Sequence, residues 1–360
     1  MAEEDRNDSG QKESTMKLFG LTVLILAALL NVEVVAAEPP ITDVVFFPDG
    51  KSVIASSQSG LQILDWPSLI RQRVIDCSAA NIHCVAVSPD GKFLAAGGGN
   101  PSEDGSVEVF SWPGGERVAV LGSVGEGRHK DSVRAVVWES SAKILTAAFD
   151  RQIRVWGVED TSSPQPSSPS GRGSQRLAVA SQTEWDCVRT FRGHSKSVSS
   201  LCLLPDEKIF VSAGDDQSLR VWNLKTGKLI RSLNQHTRAV HSLARRPSKE
   251  GLPMVASASG DRTIRFWQPT IGRMVRYVRL ESEPLCLAWL DEDFIVAGCV
   301  DGRVRVVNAD EVTVTANQAA IDGWVYAIAV SPIDRSVVAA GTGGQIRRIE
   351  LRPADDRSVE

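Results

Sequence analysis

Three stretches, TAAFDRQIRVW (146–156), SAGDDQSLRVW (212–222) and SASGDRTIRFW (257–267), align without a gap and decide how the chain folds. Each has a hydroxyl residue, an aspartate four positions later and a tryptophan six after that. Upstream, each has a histidine shortly before a valine: HKDSV from His129, HSKSV from His194 and HTRAV from His236.

Weaker copies extend both ways. Gln58 to Leu64, Asp104 to Phe110, Asp301 to Val307 and Gly343 to Ile349 keep the six-residue step into an apolar site. The closing apolar positions are 64, 110, 156, 222, 267, 307 and 349, spaced by 46, 46, 66, 45, 40 and 42 residues. A unit of 40–46 residues holding four short β runs is the mark of a propeller of four-stranded sheets. The expected fold is therefore all-β, a seven-bladed β-propeller of four-stranded antiparallel blades over residues 41–351. In the fourth unit the strands are expected near 198–203, 208–213, 218–222 and 228–233. Turn signals such as PDG, DDQ and KTG separate the runs.

These repeats resemble the WD40-repeat family from about residue 41 to 351, with the specific match in units three to five. The WD dipeptide itself is missing, since Trp156, Trp222 and Trp267 are followed by Gly157, Asn223 and Gln268. The resemblance implies three structural hydrogen-bonded tetrads: Asp150-His129-Thr146-Trp156, Asp216-His194-Ser212-Trp222 and Asp261-His236-Ser257-Trp267. A catalytic triad is the competing reading of the same residue types. A triad is a single device built around one nucleophile, whereas this set recurs on three blades, and buried polar groups need partners whatever the function. No catalytic residue, metal ligand or cofactor is expected. No H-E-x-x-H or clustered Cys/His set occurs, and Lys225-Thr226-Gly227-Lys228 lacks the phosphate-loop frame.

The 66-residue gap holds an insertion, taken as 159–185, whose Pro- and Ser-rich run cannot bury enough apolar surface to order itself. It is read as a flexible c–d loop of blade three. Six cysteines are scattered through apolar strand patterns and are read as small buried hydrophobes, with Cys286 and Cys299 the one pair worth testing as a disulfide.

The N-terminus admits two readings. Leu18–Leu30 is apolar apart from Thr22, and as a helix it spans roughly 20 Å, a length that suits a signal-peptide core better than a membrane span. Met16-Lys-Leu-Phe makes a better lead than residues 1–15, which carry an acidic excess and are read as disordered or as lying upstream of the true start. Residues 16–37 are then a signal peptide cleaved after Ala37. The alternatives are a membrane anchor through 18–30, or retention of 32–36 as the strand that closes blade seven. Residues 352–360 form a polar tail. Removing residues 1–37 takes three basic and six acidic residues from totals of 40 and 44, which leaves the remainder nearly neutral. Nucleic acid is therefore an unexpected partner.

The chain is expected to be a bacterial-type, exported, monomeric propeller, periplasmic or extracellular, or anchored facing outside. Its expected function is non-enzymatic: a scaffold offering loop faces to a protein partner. In propellers of the resembled family partners meet the loops around the channel mouth, so Phe149, Arg134, Arg238, His241, Trp324 and Tyr326 are the partner-binding candidates. The alternative is a propeller enzyme, or a carbohydrate or small-molecule binder, working through the central channel. Clustered carboxylates there would favour it, and only Asp43, Glu103 and Asp322 stand out, each isolated.

Overall fold

The computed structural model describes residues 38–122, 127–158, 185–205, 208–247 and 251–351. The chain folds as a seven-bladed β-propeller of four-stranded antiparallel blades, six of which show all four strands among these residues. In blade one the strands are Asp43–Phe46, Ser52–Ser57, Gly60–Asp65 and Arg71–Ile75, called a to d from the axis outward. Blade four runs Val198–Leu203, Ile209–Gly214, Leu219–Asn223 and Leu229–Leu233, within one residue of the sequence expectation. Blade seven shows Val325–Val330, Val337–Gly341 and Ile346–Ile349. The proposed closing strand 32–36 and the signal or anchor segment lie outside the described residues, as does the 352–360 tail. So do residues 159–184 of the insertion, while Trp185 already belongs to strand d of blade three (Trp185–Arg192). Among the described residues no helix is long and apolar enough to cross a membrane.

Each sheet is apolar on both faces, so it is buried only when sandwiched between two others. Strand b shows this plainly: Ile209–Gly214 is buried at all but its first residue, and Val255–Ser259 throughout. Among the described residues the buried apolar side chains form seven clusters, each shared by two successive blades. One joins Val44, Phe46 and Val53 of blade one to Ala327, Ala329 and Val338 of blade seven, which closes the ring. The Ile41 N–H donates to the Gly341 carbonyl across the same seam (3.0 Å).

The blades approach so closely that some positions tolerate no side chain. A Cβ on Gly298, in strand b of blade six (Phe294–Cys299), would sit 2.5 Å from Val325 Cγ1 of blade seven and 2.6 Å from Cys286 Sγ. All six cysteines are unpaired. Cys286 lies opposite Gly298, not opposite Cys299, and its thiol donates to the Val325 carbonyl (3.5 Å), so an inter-blade contact stands in place of a Cys286–Cys299 disulfide.

Gly298→Ala should destabilise the fold by about 1–3 kcal/mol through overpacking of a blade interface. Gly157→Ala, whose nearest neighbour would be the exposed Val188 side chain at 3.3 Å, should leave the chemical-denaturation midpoint nearly unchanged. Equal midpoints for the two variants would contradict this packing.

Candidate protein-interaction face

In blade three, His129 comes from the d–a loop, Thr146 from strand b (Lys143–Ala148), Asp150 from the b–c turn and Trp156 from strand c (Gln152–Val158). Trp156 Nε1 donates to Thr146 Oγ1 (2.9 Å), and His129 bonds that hydroxyl through Nε2 (2.7 Å) and Asp150 through Nδ1 (3.0 Å). Blade four places Trp222, Ser212, His194 and Asp216 in the same chain, with 2.8, 2.7 and 3.0 Å links. In blade five Trp267, Ser257, His236 and Asp261 do so at 2.8, 2.7 and 2.8 Å.

A carboxylate only accepts, so a neutral imidazole must carry its proton on Nδ1, and the hydroxyl then donates to Nε2 while accepting from the indole. Burial pushes the His129 and His236 imidazoles down toward the neutral form, against the pull of Asp150 and Asp261. Burial would raise the three carboxyls, but their imidazole partners and local donors hold them below the usual range, Asp261 at about 2.

A fifth member was visible in the repeats and passed over. Four residues after the turn aspartate stands an arginine, whose guanidinium reaches back to it: Arg154 to Asp150 at 2.8 Å, Arg220 to Asp216 at 3.8 Å and Arg265 to Asp261 at 3.4 Å. Blade six has Ala297 and Val307 where the hydroxyl and indole would be, yet it keeps Asp301 with Arg305 at 2.7 Å. In blade two the place of the arginine is taken by the fully buried Glu108, which accepts from the Ala79 N–H (2.8 Å) and from Arg117 (2.9 Å).

None of the tetrad side chains faces the axis. There, strand a of all seven blades surrounds a cavity of about 750 Å³. Four of the six partner-binding candidates line it: Arg134, His241, Trp324 and Tyr326. Trp324 is 51% exposed and meets Tyr326 edge-on, with ring centroids 5.8 Å apart. Phe149 stands just outside, with the Arg134 guanidinium 4.8 Å above its ring and the His83 ring at its edge, 6.1 Å away. Arg238 is exposed beside Gly260 and does not reach the cavity. The Cys84 thiol, in the cavity wall beside His83, donates to the Gly97 carbonyl (3.7 Å).

Of the three isolated carboxylates, Asp43 lines the cavity, while Glu103 and Asp322 are exposed and away from it. Sequence reading missed Glu283, one residue before strand a of blade six (Pro284–Trp289), which pairs with His241 at 2.8 Å. Among the described residues no group of three or more His, Cys, Asp or Glu is placed to hold a metal ion.

The family model for the WD domain, G-beta repeat, matches residues 71–111, 123–157, 185–223 and 227–268. The chain carries WD40 repeats. The matched WD40 units are offset from the blades: 71–111 starts with strand d of blade one and ends with strand c of blade two (Ser106–Ser111), and 185–223 joins blades three and four likewise. Similar proteins include chicken (Gallus gallus) WD repeat-containing protein 1, 25% identical over 317 residues, covering 78% of this chain and 49% of the relative. Protein FIZZY-RELATED 3 of Arabidopsis thaliana is 25% identical over 313 residues, covering 80% and 60%. Cell division cycle 20.1, cofactor of APC complex, from the same plant, is 25% identical over 251 residues, covering 64% and 53%. The chain thus spans less than two thirds of the length of each of these relatives. All three come from eukaryotes, whereas the sequence reading expected a bacterial-type chain.

Protons should compete with the tetrads. Carboxyls held low contribute stability that is complete above their ordinary value near 3.8 and is lost as pH falls toward about 2. Imidazoles held low lose stability as pH falls below their ordinary 6.5. The melting temperature should therefore decline on acidification from neutrality, and a flat profile would contradict the tetrads. His194→Ala or Asp216→Asn should cost about 1–3 kcal/mol at neutral pH by stranding buried partners. A melting curve identical to that of the unsubstituted chain would argue against that role.

Proposed function

We propose that this WD40 propeller is a non-enzymatic interaction platform that presents the mouth of its channel to a protein partner. The observation that carries the reading is that Arg134, His241, Trp324 and Tyr326, drawn from blades three, five and seven, line one cavity. Arginine and large aromatics on a rigid frame are the usual anchors of protein interfaces. Two similar proteins carry names that speak of association: a cofactor of the APC complex from Arabidopsis thaliana and a serine-threonine kinase receptor-associated protein from Gallus gallus.

Chemical cross-linking in the native cell should recover a partner through this face. Trp324→Ala should cut recovery by about tenfold or more, as expected of an anchor residue. Ile230→Ser, on the exposed outer strand of blade four, should not. The opposite ranking would move the interface to the rim.

We further propose, from the sequence of residues 16–37, that the platform works outside the cytoplasm or in the envelope. Mass spectrometry of the mature chain should then find a start at Glu38. A start at Leu29 or earlier would overturn that processing and favour retention of 32–36.

A further inference from the structure

Five residues that line the channel cavity carry acidic or basic side chains: Asp43, His83, Arg134, His241 and Glu283. Four are accounted for. Arg134 pairs with Asp215 at 3.5 Å over the Phe149 ring, and His241 pairs with Glu283 at 2.8 Å. Burial pushes His83 down toward the neutral imidazole, with Arg134 adding to the effect and Asp131 opposing it. Asp43 takes part in none of the ion pairs of the described residues.

The Asp43 carboxylate accepts two backbone N–H groups, from Val44 on Oδ1 and from Val85 of blade two on Oδ2, both at 2.9 Å. Each oxygen keeps a further acceptor site. The link to Val85 ties strand a of blade one to strand a of blade two (Cys84–Val87). Blade four makes the same kind of tie without a charge, since Ser200 Oγ accepts from the Leu243 N–H of blade five at 3.0 Å. A hydroxyl therefore suffices for the fold, and the charge on Asp43 is surplus to it. An uncompensated charge in such a place is costly, which a cation entering from outside would offset. Burial pushes the Asp43 carboxyl up to about 7, against its two backbone donors. The neighbouring Cys84 thiol is pushed up by burial and then by Asp43, and the Cys286 thiol by burial, then by Cys299 and least by Asp43, so they add no charge near neutrality. Trp324 and Tyr326 stand on the adjoining blade seven, where their ring faces suit a cation or its aliphatic stem.

We propose that Asp43 is the receptor for one basic side chain, lysine or arginine, of a partner polypeptide that inserts it into the channel. This deepens the platform reading and rests on it. Below neutrality Asp43 holds a proton that the incoming cation must displace, so one carboxylic acid becomes one carboxylate paired with the ligand, and the proton leaves to solvent.

The test is calorimetric titration of the full chain with acetyl-Gly-Gly-Arg-Gly-Gly-amide and with its citrulline counterpart. The arginine peptide should bind one to one, roughly tenfold more weakly at pH 6 than at pH 8, with about one proton released at pH 6. The citrulline peptide should not bind. Asp43→Ser copies the uncharged tie of Ser200, so it should keep the melting temperature within a few degrees and lose both the binding and its proton release. The His83 and His241 imidazoles also line the cavity and persist in Asp43→Ser, so a pH dependence retained by that variant would not come from Asp43 and would overturn the assignment. Equal binding of the two peptides, or unchanged binding by Asp43→Ser, would overturn it as well. If neither peptide binds while partner recovery still depends on Trp324, the platform stands and the Asp43 proposal alone falls.

Discussion

Each sheet of this protein has two apolar faces and can hide them only between two neighbours. That constraint forces a ring. A row of seven such sheets would leave two faces in water, one on blade one around Val44 and Phe46 and one on blade seven around Ala329 and Val338; closing the row packs them against each other. Glycine at Gly298 and small residues such as Ala256, Ala297 and Ala339 along the b strands let the sheets converge toward the axis.

The polar networks follow from that packing. A d–a loop has to pass from the rim to the axis across the top of its own blade, which brings a histidine down between sheets where water is excluded. The imidazole finds its partners in the blade below, a hydroxyl on strand b and a carboxylate in the b–c turn, and an indole on strand c completes the chain. The arginine four residues after the aspartate balances the charge of the turn. Blade six retains that pair without the histidine, and blade two substitutes a buried glutamate that ties down its own d–a loop at Ala79. Each blade thus solves one problem, fixing the entry loop, with whichever polar groups it possesses.

Once the loops are fixed, the channel face is a stable surface on which residues far apart in the chain are neighbours. Among the described residues its charges are paired except at Asp43, and Trp324 and Tyr326 stand on the adjoining blade seven. A rigid mouth of this kind recognises at little cost in ordering entropy, because its own groups need not be immobilised on binding.

The seven-fold repeat, the strand positions and the members of the three tetrads were legible in the sequence. Periodicity and the six-residue step are local properties, and they survive in one dimension. The arginine partner was equally legible, four residues after the aspartate and two before the tryptophan in each quoted repeat. The pairing of His241 with Glu283, the separation of Arg238 from the other candidates and the placing of Asp43 in the channel wall, without an ion pair among the described residues, could not be read in advance. Each depends on distances between blades 40 or more residues apart, and on which side of strand a faces the axis. Residue types and spacing decide what a blade is; only closure of the ring decides which charges meet and which, like Asp43, meets backbone N–H groups alone among the described residues.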